Sequence, residues 1–176
     1  THFCLALLIL VIILWYWLDL GRKVQAAKTN ASFVLGVFAA LIFLQMASGA
    51  LVAGLDAGRT YTDWPMMAGE FVPTGYWQSD LGIRNLFENV ATAQFNHRIL
   101  AYVITVATLW IAFQSLADRA RNGFGLVLGL VALQVAWGIY TLVHAAPLPL
   151  ALVHQGLGVL VLLSSVRAVW RSAQSY

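Results

Sequence analysis

The sequence predicts an all-α membrane protein that crosses the bilayer several times. Hydrophobic residues make up 61% of its 176 residues and charged residues only 10%, which differs sharply from a soluble domain. The apolar residues come in long runs rather than in alternation with polar ones. Lipid offers the backbone no hydrogen-bond partners, so each run must satisfy its own polar groups as a helix. We therefore expect one polytopic membrane domain.

Five segments are long and apolar enough to cross the membrane. They cover approximately residues 3–18, 32–55, 99–116, 124–143 and 148–169. The first is short, and the chain opens with Thr1 inside an apolar run, so we expect a sequence that starts partway through a longer protein. One long loop, residues 56–92, separates the second and third spans.

The basic residues predict the orientation of the spans. Seven of the ten Lys and Arg residues follow the first, third or fifth span: Arg22, Lys23, Lys28, Arg119, Arg121, Arg167 and Arg171. The positive-inside rule assigns that side to the cytoplasm or the mitochondrial matrix, which puts the long loop outside. The net charge of +3 is too small and too scattered to indicate nucleic acid as a partner.

The long loop is rich in aromatic side chains. It carries Trp64, Phe71, Tyr76, Trp77 and Phe87. Such residues are typical of an aromatic belt that anchors a protein at the bilayer interface. They are equally typical of a lid over a site that opens outward. The sequence alone favours neither role.

A short internal repeat links the second and fourth spans. The words LQMASG (residues 44–49) and LQVAWG (residues 133–138) agree at Leu, Gln, Ala and Gly. Each is followed by an outer loop and then by a helix with a histidine near its start. This pattern predicts a duplicated helical hairpin, a common origin of membrane folds with pseudo-symmetry.

Two histidines occupy matching places in that repeat. His97 opens the third span and His154 lies in the first turns of the fifth. One helix separates these spans, so they run in the same direction and both histidines should lie at similar depth near the outer face. In a four-helix arrangement the two spans are diagonal or adjacent, which would let the imidazoles face each other. Intramembrane ionisable groups are costly and usually functional.

A pair of histidines is the ligand set of a b-type haem. A zinc or copper site normally needs three or four protein ligands, whereas a haem brings four equatorial nitrogens and needs only two axial ones. The nearby glycines would make room for a flat macrocycle, or serve ordinary helix packing. Gln45 and Gln134 would orient the histidines, or simply join helices.

Two further residues belong to this hypothesis. Arg98 follows His97 and would contact a haem propionate, or extend to lipid headgroups. His2 would lie at the outer end of its span, at the depth of the other two histidines. It is interpreted either as the last ligand of a second haem site or as incidental.

Four words in order resemble a known family. They are GALVAGLDAG (residues 49–58), WPMM (64–67), NLFEN (85–89) and QFNHR (94–98). Together they are similar to haem A synthases of the mitochondrial and alphaproteobacterial type, and the resemblance runs from the first span to the helix of His154. Members of that family oxidise the C8 methyl of haem O to a formyl group, giving haem A for cytochrome c oxidase.

The resemblance implies a domain organisation. The family is built from two similar four-helix halves, so residues 1–20 would be the last transmembrane helix of the N-terminal half. Residues 31–176 would form the C-terminal four-helix bundle that binds haem b, with His97 and His154 as axial ligands. His2 would match the final histidine of the N-terminal site, where the substrate haem is oxidised. The catalytic glutamate and the other histidine of that site would lie upstream.

The resemblance also implies location and partners. We expect an integral protein of a bacterial or mitochondrial inner membrane, with its haem site near the outer face. The expected partners are the bilayer, haem O, a haem O synthase, an electron donor and a second copy of the chain. Two competing hypotheses are a cytochrome b-type electron carrier without substrate chemistry and an assembly subunit without a cofactor.

Overall fold

The computed structural model describes residues 2–20, 30–117 and 124–174. Within these ranges the chain is helical and contains no β-strand, only one isolated bridge between Met67 and Glu70. The predicted all-α class is confirmed. Five basic residues that predicted the orientation, Arg22, Lys23, Lys28, Arg119 and Arg121, lie outside the described residues.

Six α-helices follow one another along the described chain. Their bounds are α1 His2–Asp19, α2 Asn30–Gly54, α3 Asn85–Glu88, α4 Val90–Ala117, α5 Gly125–Val143 and α6 Leu148–Ser172. All except the short α3 are long and apolar enough to span a membrane. This confirms a polytopic membrane protein with five spans.

Helix α4 begins nine residues before the third predicted span. The prediction placed that start at residue 99, whereas the helix starts at Val90. Its first turns carry Thr92, Gln94 and Arg98, which are buried against the outer loop rather than exposed to lipid. Hydropathy therefore underestimates the length of this helix, because other parts of the protein supply hydrogen-bond partners for its polar side chains.

Four of the spans form a square bundle. Helix α2 packs against α4 and α6, and α5 packs against the same two helices, so α4 and α6 lie on one diagonal. Helix α1 packs outside the square, on α6 and α2. Its outer face carries large exposed apolar side chains such as Leu5, Ile12 and Trp17, as expected for lipid contact.

The long loop and the α5–α6 connection mark one end of the bundle, here called the loop end. Gly58 follows α2 and Ala146 precedes α6, and a Cβ built on Gly58 would lie 2.9 Å from the Cβ of Ala146. The two connections are therefore in contact. Helices α2 and α5 run toward the loop end, whereas α4 and α6 run away from it.

The apolar core fills the half of the bundle that is remote from the loop end. Phe38 of α2 packs edge-to-face against Phe124, with ring centroids 5.6 Å apart. Other core side chains come from the same level of the bundle: Leu35, Ile42, Ile104, Ile111, Val127, Val131, Val161, Leu162 and Val166. The half nearer the loop carries the glutamines, glycines and histidines of the repeat.

Candidate functional site

The two histidines of the repeat lie at the same level of the bundle. His97 is the eighth residue of α4 and His154 the seventh of α6. At 1.5 Å of rise per residue, each lies about 10 Å along its helix from the loop end. Since α4 and α6 run in the same direction on one diagonal, the equal depth expected from the sequence is present in the fold.

Each histidine is held by the glutamine of a neighbouring helix. The side-chain amide of Gln45 donates to the backbone carbonyl of His97 at 3.1 Å, and that of Gln134 donates to the carbonyl of His154 at 3.0 Å. Gln45 and Gln134 both stand nine residues before the last residue of their helices. The repeat of the sequence is therefore also a repeat of structure.

Each histidine ring also lies against a glycine of that same neighbouring helix. A Cβ built on Gly49 would lie 3.1 Å from Cε1 of His97, and one on Gly138 would lie 2.7 Å from Cε1 of His154. Both distances are shorter than ordinary contacts between carbon atoms. The absence of a side chain at these two glycines lets the histidine rings approach the neighbouring helices closely.

The two halves of the repeat meet at a third glycine, Gly158, one turn beyond His154. A Cβ there would lie 3.3 Å from the amide nitrogen of Gln134 and 3.4 Å from the terminal carbon of Met46. Met46 is the neighbour of Gln45 in α2. The side chains that flank both histidines therefore converge inside the bundle rather than facing lipid.

One contact at this site has no counterpart in the repeat and was not predicted. Ser48 Oγ lies 2.8 Å from Nδ1 of His97. In the second half of the repeat Trp137 takes its place, and its indole donates to the carbonyl of Leu150 at 3.1 Å. The signal was present in the sequence, because this is one of only two positions at which the six-residue words differ.

Several buried polar atoms at the site have no hydrogen-bond partner among the described residues. They include Nδ1 of His154 and the amide oxygens of Gln45 and Gln134. No group of three or more His, Cys, Asp or Glu side chains that could hold a metal ion occurs in the described part of the chain. The side chains available here to ligate a metal are thus two imidazoles, with polar atoms around them.

Arg98 connects the site to the outer loop. Its guanidinium donates to the backbone carbonyls of Tyr61, Asp63 and Met66 at 2.9–3.0 Å, and its Nε is buried without a partner. Only 8% of Arg98 is exposed. The guanidinium is therefore bonded to the outer loop.

The outer loop is folded onto the start of α4. Gln94 donates to the carbonyl of Tyr61 at 2.9 Å, and the hydroxyl of Thr92 donates to the carbonyl of Tyr76. Buried Asn85 donates to the carbonyls of Gln78 and Gly82, both at 2.7 Å. These bonds make the loop a fixed cover over the loop end.

The other two histidines lie apart from this pair. His2 is the first residue of α1, outside the four-helix square. His144 is exposed, and Nδ1 of its ring is 2.7 Å from the carbonyl of Tyr140. His144 therefore lies apart from the paired histidines.

In each half of the repeat, a glutamine and a glycine of one helix hold the histidine of the next, an arrangement here called the clamp: Gln45, Gly49 and His97, and Gln134, Gly138 and His154. Fold and site together define a polytopic helical membrane protein with this duplicated clamp inside a four-helix bundle. Comparison with known proteins identifies its family. The chain belongs to the haem A synthase family, since the family model described as COX15-CtaA, cytochrome oxidase assembly protein, matches residues 1–166.

Individual relatives agree with this assignment. The chain is 53% identical over 173 residues to a haem A synthase of Hyphomonas neptunium, covering 98% of this chain and 49% of the relative. It is 42% identical to the haem A synthase of Paracoccus denitrificans, over 88% of this chain and 43% of that protein. The chain thus spans about half the length of the curated relatives it matches. No solved structure matches it.

Proposed function

We propose that this chain holds a b-type haem between His97 and His154 and forms the electron-transfer half of a haem A synthase. The observation that carries the proposal is the duplicated clamp. Each histidine lies against a glycine and receives a glutamine on its backbone carbonyl, at one level of two diagonal helices. Such a clamp suits two histidines that would hold one haem between them.

The polar atoms of the site fit that group. Nδ1 of His154 is buried without a partner, which costs about 1–3 kcal/mol, so protein contacts alone do not satisfy this imidazole. Two imidazoles complete an iron porphyrin but not a zinc or copper site. When bound, a haem held by His97 and His154 would supply one-electron transfer.

The protein side chains would position this group and exclude water from it. Gln45 and Gln134 fix the helix carbonyls beside the ligands, while Arg98 and Gln94 hold the loop over the site. Of the guanidinium nitrogens of Arg98, only Nε has no carbonyl partner. That N–H and the second hydrogen of Nη2 would be the donors left for a haem propionate.

The proposed reaction requires a one-electron relay. Converting the C8 methyl of haem O to a formyl group is a four-electron oxidation of that carbon. A haem couple transfers electrons singly, so the oxidation must be linked to a relay that operates several times per product. We assign that relay to the bundle of residues 31–176.

We assign the substrate haem to the N-terminal half, of which residues 1–20 would be the last transmembrane helix. The indole of Trp170 donates to Asp19 at 2.7 Å, so α1 and α6 run parallel. His2 and His154 lie 17 and 16 residues from these partners, or about 25 Å in each case. This common level supports His2 as a ligand at a second haem site.

We place the protein in a bacterial or mitochondrial inner membrane, with the clamp near its outer face. The proposed partners are a haem O synthase, an electron donor and a second copy of the chain. The basic residues Arg167 and Arg171, at the end of α6 remote from the loop, support this orientation.

The proposal is tested in the complete natural protein by replacing the ligands. We expect His97→Ala and His154→Ala to lose the b-type pyridine haemochrome of this half, whereas His144→Ala keeps it. Undiminished haem in both ligand variants would remove the assignment. Haem A formation in cells that lack their own synthase then separates a synthase from a simple electron carrier, which would bind haem and form no product.

A further inference from the structure

The two proposed ligands are held in different ways. Ser48 Oγ lies 2.8 Å from Nδ1 of His97 and donates to the backbone carbonyl of Gln45, also at 2.8 Å. Nδ1 of His154 is buried and has no hydrogen-bond partner in the described chain. Trp137, the counterpart of Ser48, bonds to a backbone carbonyl instead.

The direction of these bonds determines the tautomer of His97. A serine hydroxyl has one hydrogen to donate, and assigning it to the carbonyl of Gln45, which can only accept, makes both 2.8 Å contacts of Ser48 Oγ hydrogen bonds. The oxygen then presents a lone pair to Nδ1 of His97, which must carry the ring hydrogen. The free electron pair of the ring is thereby left on Nε2.

The amide of Gln45 does not compete for this hydrogen. Its nitrogen is 3.2 Å from Nδ1 and 3.3 Å from Nε2 of His97, so it lies over the ring rather than in the ring plane. Its directed bond is the one to the His97 carbonyl at 3.1 Å. Ser48 is therefore the partner that distinguishes Nδ1 of His97 from Nε2.

We infer that Ser48 is a positioning residue that fixes the tautomer of His97 and presents Nε2 to the iron. The inference rests on the proposed haem site and deepens it. An acceptor on Nδ1–H makes the imidazole a stronger donor, which favours ferric over ferrous iron. The two axial ligands are consequently inequivalent, with His97 the more firmly oriented and the better donor.

The test uses Ser48→Ala, Ser48→Thr and Ser164→Ala in the complete natural protein. Ser164 is the matched control, because its hydroxyl makes the same bond to a carbonyl three residues earlier, at 2.9 Å, and faces no histidine. The readouts are haem loss to excess apomyoglobin and the midpoint potential of the b-type haem. Neither depends on turnover.

We expect Ser48→Ala to lose haem about 10–100 times faster, the usual range for removing such a partner of a ligating histidine. Its midpoint potential should rise, by about 59 mV for each tenfold loss of ferric preference. Ser48→Thr retains the hydroxyl and should behave as wild type, as should Ser164→Ala.

The inference is overturned if Ser48→Ala matches wild type in both readouts, if Ser164→Ala changes them equally, or if Ser48→Thr behaves as Ser48→Ala. Each of these results leaves the haem site itself intact. A wild-type protein without b-type haem, or one that keeps it in both ligand variants, would instead overturn the proposed function.

Discussion

The backbone of Gly138 and the ring of His154 are so close that a methyl group on this glycine would lie 2.7 Å from Cε1. The corresponding distance between Gly49 and His97 is 3.1 Å. Two glycines, one in each half of the repeat, thus allow the imidazoles to pack directly on the neighbouring helices. Gly138 is nearer to its histidine than Gly49 is, so it should tolerate an added side chain less well.

Gly138→Ala should therefore displace the ring of His154 and weaken binding of the proposed haem by about tenfold or more, since overpacking costs about 1–3 kcal/mol. The added Cβ meets a ring that packing holds in place, so the ring must rotate or the helices must separate. Haem content per protein, from the pyridine haemochrome, measures the effect. Gly129→Ala is the control on the same helix, since its Cβ would meet nothing within 4 Å. Equal haem content in the two variants would contradict this account.

Asn89 links the start of α4 to the outer loop. Its side-chain oxygen accepts from the backbone N–H of Ala91 and Thr92 at 2.9 and 3.3 Å, which makes it the N-cap of α4. Its side-chain nitrogen donates to the Gly75 carbonyl at 2.9 Å and to Asn85 at 2.8 Å. One buried side chain therefore both caps α4 and holds the outer loop.

Asn89→Ala should destabilise the protein by about 1–2 kcal/mol through the lost cap alone. Asn89→Asp should keep the cap and lose the bonds that the side-chain amide donates to Gly75, Tyr76 and Asn85, so the loop loosens while the helix end persists. Hydrogen exchange measures both, at the amides of Ala91 and Thr92 for the cap and at residues 75–78 for the loop. If Asn89→Asp exposes both regions equally, the two roles are not separable.

The spans and the depth of the histidines could be predicted because both follow from regular geometry. Lipid requires helices, and helical rise converts a place in the sequence into a depth. The clamp itself could not be predicted fully. Ser48 and His97 are 49 residues apart, and only the packing of α2 on α4 brings them together.

The same limit applies to the start of α4. Polar residues such as Thr92 and Arg98 predict a loop when lipid is assumed to surround them. In the fold the outer loop supplies their partners, notably the carbonyls of Tyr61 and Tyr76. A hydropathy pattern cannot distinguish a polar residue in water from one that a distant segment satisfies.

Arg98→Gln should release the outer loop. The guanidinium donates three bonds to loop carbonyls, and a bond from a charged donor contributes about 1.5–3 kcal/mol. Loss of even one would speed hydrogen exchange of the amides at residues 61–69 by about tenfold or more. Arg84→Gln is the control, because Arg84 is exposed and bonds only to the side chain of Glu88 among the described residues. Unchanged exchange in Arg98→Gln would show that the loop is held by other contacts.

The carboxylate of Asp63 should make the outer loop sensitive to acid. It accepts the backbone N–H of Ala68 at 3.0 Å and of Gly69 at 3.1 Å, and these bonds hold its pKa below the ordinary value of 3.8. Ala68 and Gly69 both have positive φ, at 54° and 81°, so the carboxylate stabilises a turn that Ala68 disfavours. Because the folded-state pKa is lowered, this stabilisation is present above the unfolded pKa and is lost as the pH falls through the folded one.

Exchange of the Ala68 and Gly69 amides, corrected for the intrinsic rate, should rise below about pH 4 in wild type. In Asp63→Asn the protection should be weak at every pH, and an acid transition of wild-type size in that variant would assign the effect to another group.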